Sequence, residues 1–299
     1  VSERLSSDHP LLTRAVLVKR LMDVASASQT LDTLLRQLQN SGADFFSIFV
    51  RSLIEREANE KWIDRSGENE VGAPLLSVDE HCDLLSMVAF SMWESRVNYI
   101  KRESLEFVSD YFSEVSNKNA LQANQIRERI RGHALLVPST NASRAIEFDH
   151  DEFRLFFLGE GIARKIAPLN EHAKAEVLGI FRRGLLPHQA QHALLRSVTR
   201  SPQVDPVQVV RFLLSIIGME SHTSYVHENC SDIIIRMLSG LEDAGGLEIA
   251  GLAFGTDALR DRKLNGVLFT DCYFAPSRLD LTQLQACLCS HTPFAQLRI

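Results

Sequence analysis

The sequence predicts a mainly α-helical chain whose last fifth abandons the helical pattern for a repeat of five residues. Two observations carry this reading. Apolar residues recur at helical spacing in successive segments from Leu11 to Leu241, separated by polar, Pro-containing and Gly-containing breaks. Leu264, Phe269, Phe274, Leu279, Leu284, Cys289, Phe294 and Ile299 then stand five apart without a slip. A helix repeats at about 3.6 residues and a strand at about 2, so neither yields an unbroken five.

The first helical segment opens after Asp8-His9-Pro10 and carries Leu11, Leu12, Val16 and Leu21, followed by Leu31, Leu34, Leu35 and Leu38. Asn40-Ser41-Gly42 breaks it, and Phe45, Phe46, Phe49, Val50, Leu53 and Ile54 begin another helix. Residues 1–63 are read as one helical domain, and 64–76 as a polar connector. Ser77 with Glu80 three residues on is a capping box, opening a helix that turns Leu84, Leu85, Val88 and Met92 inward. Further helices are expected around Leu105 to Phe112 and Ile126 to His133. Two short extended runs, 134–137 and 145–148, flank a Pro138-Ser139-Thr140-Asn141 loop that suits a hairpin. Three helices and a β-wing spell a winged helix, assigned to 76–166. Residues 167–246 form a helical spacer, with helices at 173–181, 190–198, 207–217 and 233–241, and 247–299 form the repeat domain.

Composition is that of an ordinary globular protein, with 45% hydrophobic and 23% charged residues. The net charge of −6 provides no general attraction to nucleic acid or anionic membrane. Five scattered cysteines without a C-x-x-C pair argue against a disulfide framework, and a reducing cytoplasm is the expected compartment. The most apolar stretch, 207–219, is interrupted by Arg211 and too short to span a bilayer, so no membrane partner is expected.

The chain is organised around Phe148-Asp149-His150-Asp151-Glu152-Phe153-Arg154-Leu155-Phe156-Phe157. An extended run enters a histidine and passes at once into a helix, where unpaired N–H groups favour the neighbouring acids. One reading of His150 is local packing and bonding. The stretch also resembles a motif near the end of the winged helix in NACHT-type ATPases, a branch of the STAND signalling NTPases. The matching residues are Phe148, His150, Phe153, Phe156 and Phe157; Asp151 and the pair Arg154-Leu155 depart from the family pattern. The resemblance implies that His150 touches the β-phosphate of bound ADP and locks a closed, inactive state. It also implies that Pro10 packs on the adenine ring, although a proline that simply opens a helix is the alternative. Residues 1–63 and 167–246 then correspond to the first and second helical domains of the family.

The C-terminal period has smaller residues two positions before most of the large ones, among them Val267, Cys272, Ser277 and Thr282. It resembles the pentapeptide repeat, which implies a right-handed quadrilateral β-helix. The fold expected for the whole chain is therefore mainly α with a C-terminal β-helix.

His188 and His192 lie one helical turn apart, the spacing of zinc helices, with His222 and His227 as conceivable further ligands. The glutamate of H-E-x-x-H is absent, so no metal is expected. Arg127, Arg129 and Arg131 are interrupted by Glu128, and no basic wing follows, which disfavours DNA reading. No G-x-S-x-G and no G-x-x-x-x-G-K-[ST] occurs, so the chain contains no complete catalytic site or phosphate cradle.

The resemblance implies the regulatory and sensor half of a signalling ATPase, with ADP or ATP held mainly by an upstream NTPase domain and with an effector domain beyond it. Val1 at the start and the apolar Ile299 at the end lead us to expect a fragment. A protein or phage ligand on the repeat surface would drive nucleotide exchange and homo-oligomerisation, as in bacterial antiviral defence. The alternative is a non-enzymatic scaffold that presents the repeat surface to a partner.

Overall fold

A computed structural model describes residues 45–67, 72–218 and 224–298. The chain divides into two compact units, Val1–Phe157 and Leu158–Ile299.

In the first unit, α1 (Phe45–Arg56) buries Phe49, Val50, Leu53 and Ile54, then loosens into a π-helical turn, Glu57–Lys61. The polar connector is tied down. Ile63 bridges Pro74, and the Asp64 carboxylate accepts from Gln122 Nε2 at 3.0 Å and Gln125 Nε2 at 3.2 Å. Helix α2 (Val78–Glu94) begins at Ser77, whose hydroxyl accepts from the Glu80 N–H at 3.2 Å while the Glu80 carboxylate accepts from the Ser77 N–H at 2.8 Å. Two of the donors that every helix start leaves unpaired are thereby satisfied. Ser77→Ala is expected to remove about 1 kcal/mol of stability, read as a lower urea midpoint of the tryptophan fluorescence, and Ser77→Asp to restore it.

The chain continues through β1 (Tyr99–Lys101), α3 (Arg102–Val115), α4 (Ala120–Arg129), a short 3-10 turn (Ile130–Gly132), β2 (Leu136–Pro138) and β3 (Ala145–Phe148). The β2–β3 hairpin pairs Val137 with Glu147, and β1 pairs antiparallel on its other side, giving the order β1-β3-β2. Strand β1 has no alternating pattern long enough to announce it. Its three residues are extended because β3 offers an edge there.

Helix α5 (Asp151–Ile166) crosses the boundary between the units. In the second unit follow α6 (Glu171–Phe181), α7 (His188–Arg200), α8 (Pro206–Ile217) and α9 (Tyr225–Leu238). Helix α9 packs against α6, α7 and α8 and buries Val226, Cys230, Ile233 and Ile234. It starts earlier than its apolar spacing suggests, because Ser224 caps it through the His227 N–H at 3.2 Å. Buried Asn229 fastens the α6–α7 loop to it, accepting from Leu186 N–H at 2.8 Å and donating to the Gly184 carbonyl at 2.9 Å.

The C-terminal segment corrects the sequence expectation. The right-handed quadrilateral β-helix anticipated for 247–299 is not formed. Strands β4 (Leu247–Ala250), β5 (Ala253–Phe254), β6 (Lys263–Asn265), β7 (Val267–Thr270), β8 (Tyr273–Phe274), β9 (Ser277–Arg278), β10 (Gln283–Gln285), β11 (Leu288–Ser290) and β12 (Leu297–Arg298) make separate parallel sheets of two or three strands, and none closes. Left-handed backbone at Gly251, Gly266, Asp271, Ala286 and His291 directly ends β4, β6, β7, β10 and β11 after three or four residues, so no ladder lengthens. The spacing of five specifies these turns and a pairing offset: Leu247 faces Val267, Ala253 faces Tyr273 and Ser277 faces Leu297. The large residues of the period are buried at Leu264, Phe269 and Phe274, whereas Leu284 is 52% exposed.

Candidate functional site

The Phe-x-His stretch lies wholly in the first unit up to Phe157. Strand β3 buries Ala145, Ile146 and Phe148, and the Asp149 N–H donates to the Leu135 carbonyl at 2.9 Å, the last tie before the helix. His150 then occupies the N-cap of α5. Its carbonyl accepts from Phe153 N–H at 3.0 Å, and its Nδ1 accepts from Glu152 N–H at 3.2 Å. The imidazole does what Ser, Thr, Asp or Asn does at other helix starts. Because Nδ1 accepts, the neutral ring carries its proton on Nε2, assigned from this bond. Nε2 has no hydrogen-bond partner among the described residues, and the side chain is half-buried.

Aromatic packing holds the junction in place. Phe148 stacks on Phe157 at 5.8 Å, Phe153 on Phe46 at 5.8 Å, and Phe156 meets Phe46 edge-on at 5.7 Å. The helix therefore cannot pivot at His150 without opening this cluster. Asp151, directly after the histidine, makes an ion pair with Arg154 at 2.6 Å. The carboxylate after the histidine thus faces a guanidinium whose side chain is 13% exposed. A donor at Nε2 is thus presented beside the positive end of a helix, with the nearer acid partly neutralised.

Pro10 lies outside the described residues. His188 and His192 belong to the second unit and stack along α7 with ring centroids 5.4 Å apart. His222 lies outside the described residues, and His227 is committed elsewhere, its Nε2 accepting from Ala253 N–H at 3.0 Å. Among the described residues no group of three or more His, Cys, Asp or Glu side chains is placed to hold a metal ion.

A second cluster in the first unit escaped the sequence. His81 of α2 and His133, after the 3-10 turn, are buried with ring centroids 5.4 Å apart, and both meet Trp62, at 4.7 and 5.8 Å. His133 Nδ1 accepts from Leu135 N–H at 3.1 Å. Buried Glu57 lies at its edge, accepting from Ala134 N–H at 3.3 Å and pairing with Lys61 at 2.5 Å. Burial, then the neighbouring His133, pushes His81 down to about 3, and burial followed by Lys61 does the same for His133. Both rings are therefore neutral near pH 7 and act as packing. No local motif marks this cluster, because its members meet only through the fold.

Among the described residues no helix is long and apolar enough to cross a membrane. Neither the scan against models of known protein families nor the search of curated proteins finds a match to this chain.

Proposed function

We propose that this chain is the regulatory part of a NACHT-type signalling ATPase that works in the cytoplasm, and that His150 reads the phosphate of a bound ADP. The observation that carries the proposal is the capped imidazole: with Nδ1 committed to the helix, only Nε2–H is left to donate. A hydrogen bond from that group to a phosphate oxygen is charge-assisted, and the start of α5 adds a favourable dipole. The nucleotide itself is held by a P-loop domain, since the 299 residues contain no G-x-x-x-x-G-K-[ST]. The contact exists only while ADP is in place, so it favours a closed state, and exchange for ATP opens the way to oligomerisation.

The test uses the full-length protein that the complete reading frame encodes. That frame is expected to contain a P-loop, and the purified protein to retain ADP. His150→Asn keeps a cap on α5 but removes the imidazole donor. It is expected to release ADP roughly ten- to a hundredfold faster, the range of a hydrogen bond to a charged group. His150→Ala is expected to do the same with some additional loss of stability. A reading frame without a P-loop, or ADP release unchanged in His150→Asn, rejects the proposal.

A further inference from the structure

The second unit gathers cationic and imidazole side chains from three separate elements on one patch. His188 is the first residue of α7, and His192, one turn on, stacks against it. Both residues reach solvent, with their rings partly covered. Helix α7 packs on α9, which carries Arg236, and α9 in turn packs on β6. The Lys263 N–H donates to Ser239 Oγ at 3.1 Å, which brings Arg262 to the end of α9, close to Arg236.

These arginines are not placed as solvated surface charges. Each is half-buried, and the Nε of Arg236 and of Arg262 is buried with no acceptor among the described residues. Asp232 and Asp261 offset part of this charge from a distance, their fields favouring the charged form of Arg262, yet neither is in contact with it. Asp232 makes no ion pair within 4.0 Å with either arginine among the described residues, and Asp261 pairs with Arg260 at 3.9 Å. Burial first, then Arg236 and Arg262, lowers the basicity of His188. Burial, Arg196, His188 and the same two arginines hold His192 down to about 4. Finally, α7 begins without a side-chain cap, because Pro187 supplies none, so no side chain occupies the positive end of the helix.

We propose that His188, His192, Arg236, Arg262 and the start of α7 form a binding site for a phosphoryl group of a small molecule. Like charges brought together and partly removed from water are unfavourable unless an anion joins them. A tetrahedral phosphate has three terminal oxygens, enough to accept from two guanidinium groups and an imidazole at once, whereas a carboxylate has two in one plane. Exposed histidines at the rim leave the site open to solvent and to exchange. The site is independent of His150, which belongs to the other unit, so either proposal can fail alone.

The experiment titrates the 299-residue chain with pyrophosphate, followed by calorimetry and by the imidazole NMR signals of His188 and His192. In about 0.15 M salt, where surface attraction is screened, a Kd below about 1 mM is expected. Arg236→Gln and Arg262→Gln are each expected to weaken binding at least about tenfold. Arg211→Gln, an exposed arginine of α8, is expected to leave it unchanged. Citrate, of comparable charge but carboxylate geometry, is expected to bind at least about tenfold more weakly than pyrophosphate. Circular dichroism checks the fold of each variant. Should the arginine variants unfold, His188→Gln/His192→Gln carries the test, because both residues reach solvent, and a loss of at least about fivefold is expected. A pyrophosphate Kd above about 1 mM, or equal affinity in the wild type and in the folded variants of the site, overturns the proposal. Citrate binding as tightly as pyrophosphate overturns the phosphoryl assignment.

Discussion

Urea unfolding followed by tryptophan fluorescence is expected to show stability falling steeply as the pH drops below about 6.5. Trp62 and Trp93, the two tryptophans of the chain, both lie in the first unit, so the signal reports that unit alone. His81 and His133 are held down to about 3 in the fold, from an ordinary value of 6.5. Between those limits the unfolded chain binds more protons than the folded one, so stability rises with pH through the window. It is complete above the unfolded value and lost as pH falls toward the folded one. Each histidine contributes up to about 1.4 kcal/mol per pH unit, and the pair therefore up to about 2.7. Measurements between about pH 6 and pH 5 isolate this effect, since ordinary carboxylates titrate mostly below it.

His81→Phe tests the assignment. Neither His81 nitrogen has a hydrogen-bond partner among the described residues, and the ring meets Trp62 edge-on at 4.7 Å, so a phenyl ring suits the site. The variant is expected to remove about half of the pH slope while retaining stability near pH 7. An unchanged slope would mean that His81 takes up its proton without unfolding, and the burial argument would then fail.

Gly159→Ala is expected to have the largest effect of any methyl-sized change in the second unit. A Cβ at Gly159 would stand 2.2 Å from the Ala190 carbonyl oxygen, 2.7 Å from Ala193 Cβ and 2.9 Å from the Leu194 nitrogen. Two of these are backbone atoms of α7, so relief requires the helices to separate rather than a side chain to turn. Destabilisation of about 3 kcal/mol or more follows. For a unit of this size that corresponds to a drop of roughly 6–12 °C in Tm, measured by circular dichroism. Gly179→Ala on α6 is the opposite case, with nothing within 4 Å of the added carbon. There, relief of the glycine's entropy penalty is expected to stabilise by about 0.5–1 kcal/mol. A Gly159→Ala protein that melts with the wild type would show that α7 is not seated against this glycine.

The features legible in the sequence are those that depend on neighbours along the chain. Ser77 and Glu80 close their capping box because both partners lie within one helical turn. The fivefold period marks where the backbone must turn left-handed, and it places Phe269 and Phe274 inside. His150 was recognisable as a strand-to-helix junction, yet its role as N-cap through Nδ1 is a matter of ring orientation. Tertiary structure decided what depends on distant partners. The meeting of His81 with His133 and Trp62 joins three elements, and so does the convergence of Arg236, Arg262 and the α7 histidines. It also decided against the β-helix, since ladder length depends on how far two strands stay in register before a turn interrupts them. Periodicity and capping are short-range and so are written in order along the chain. Desolvation and the fields of distant charges depend on which surfaces are brought together, and for this protein only the folded arrangement supplies them.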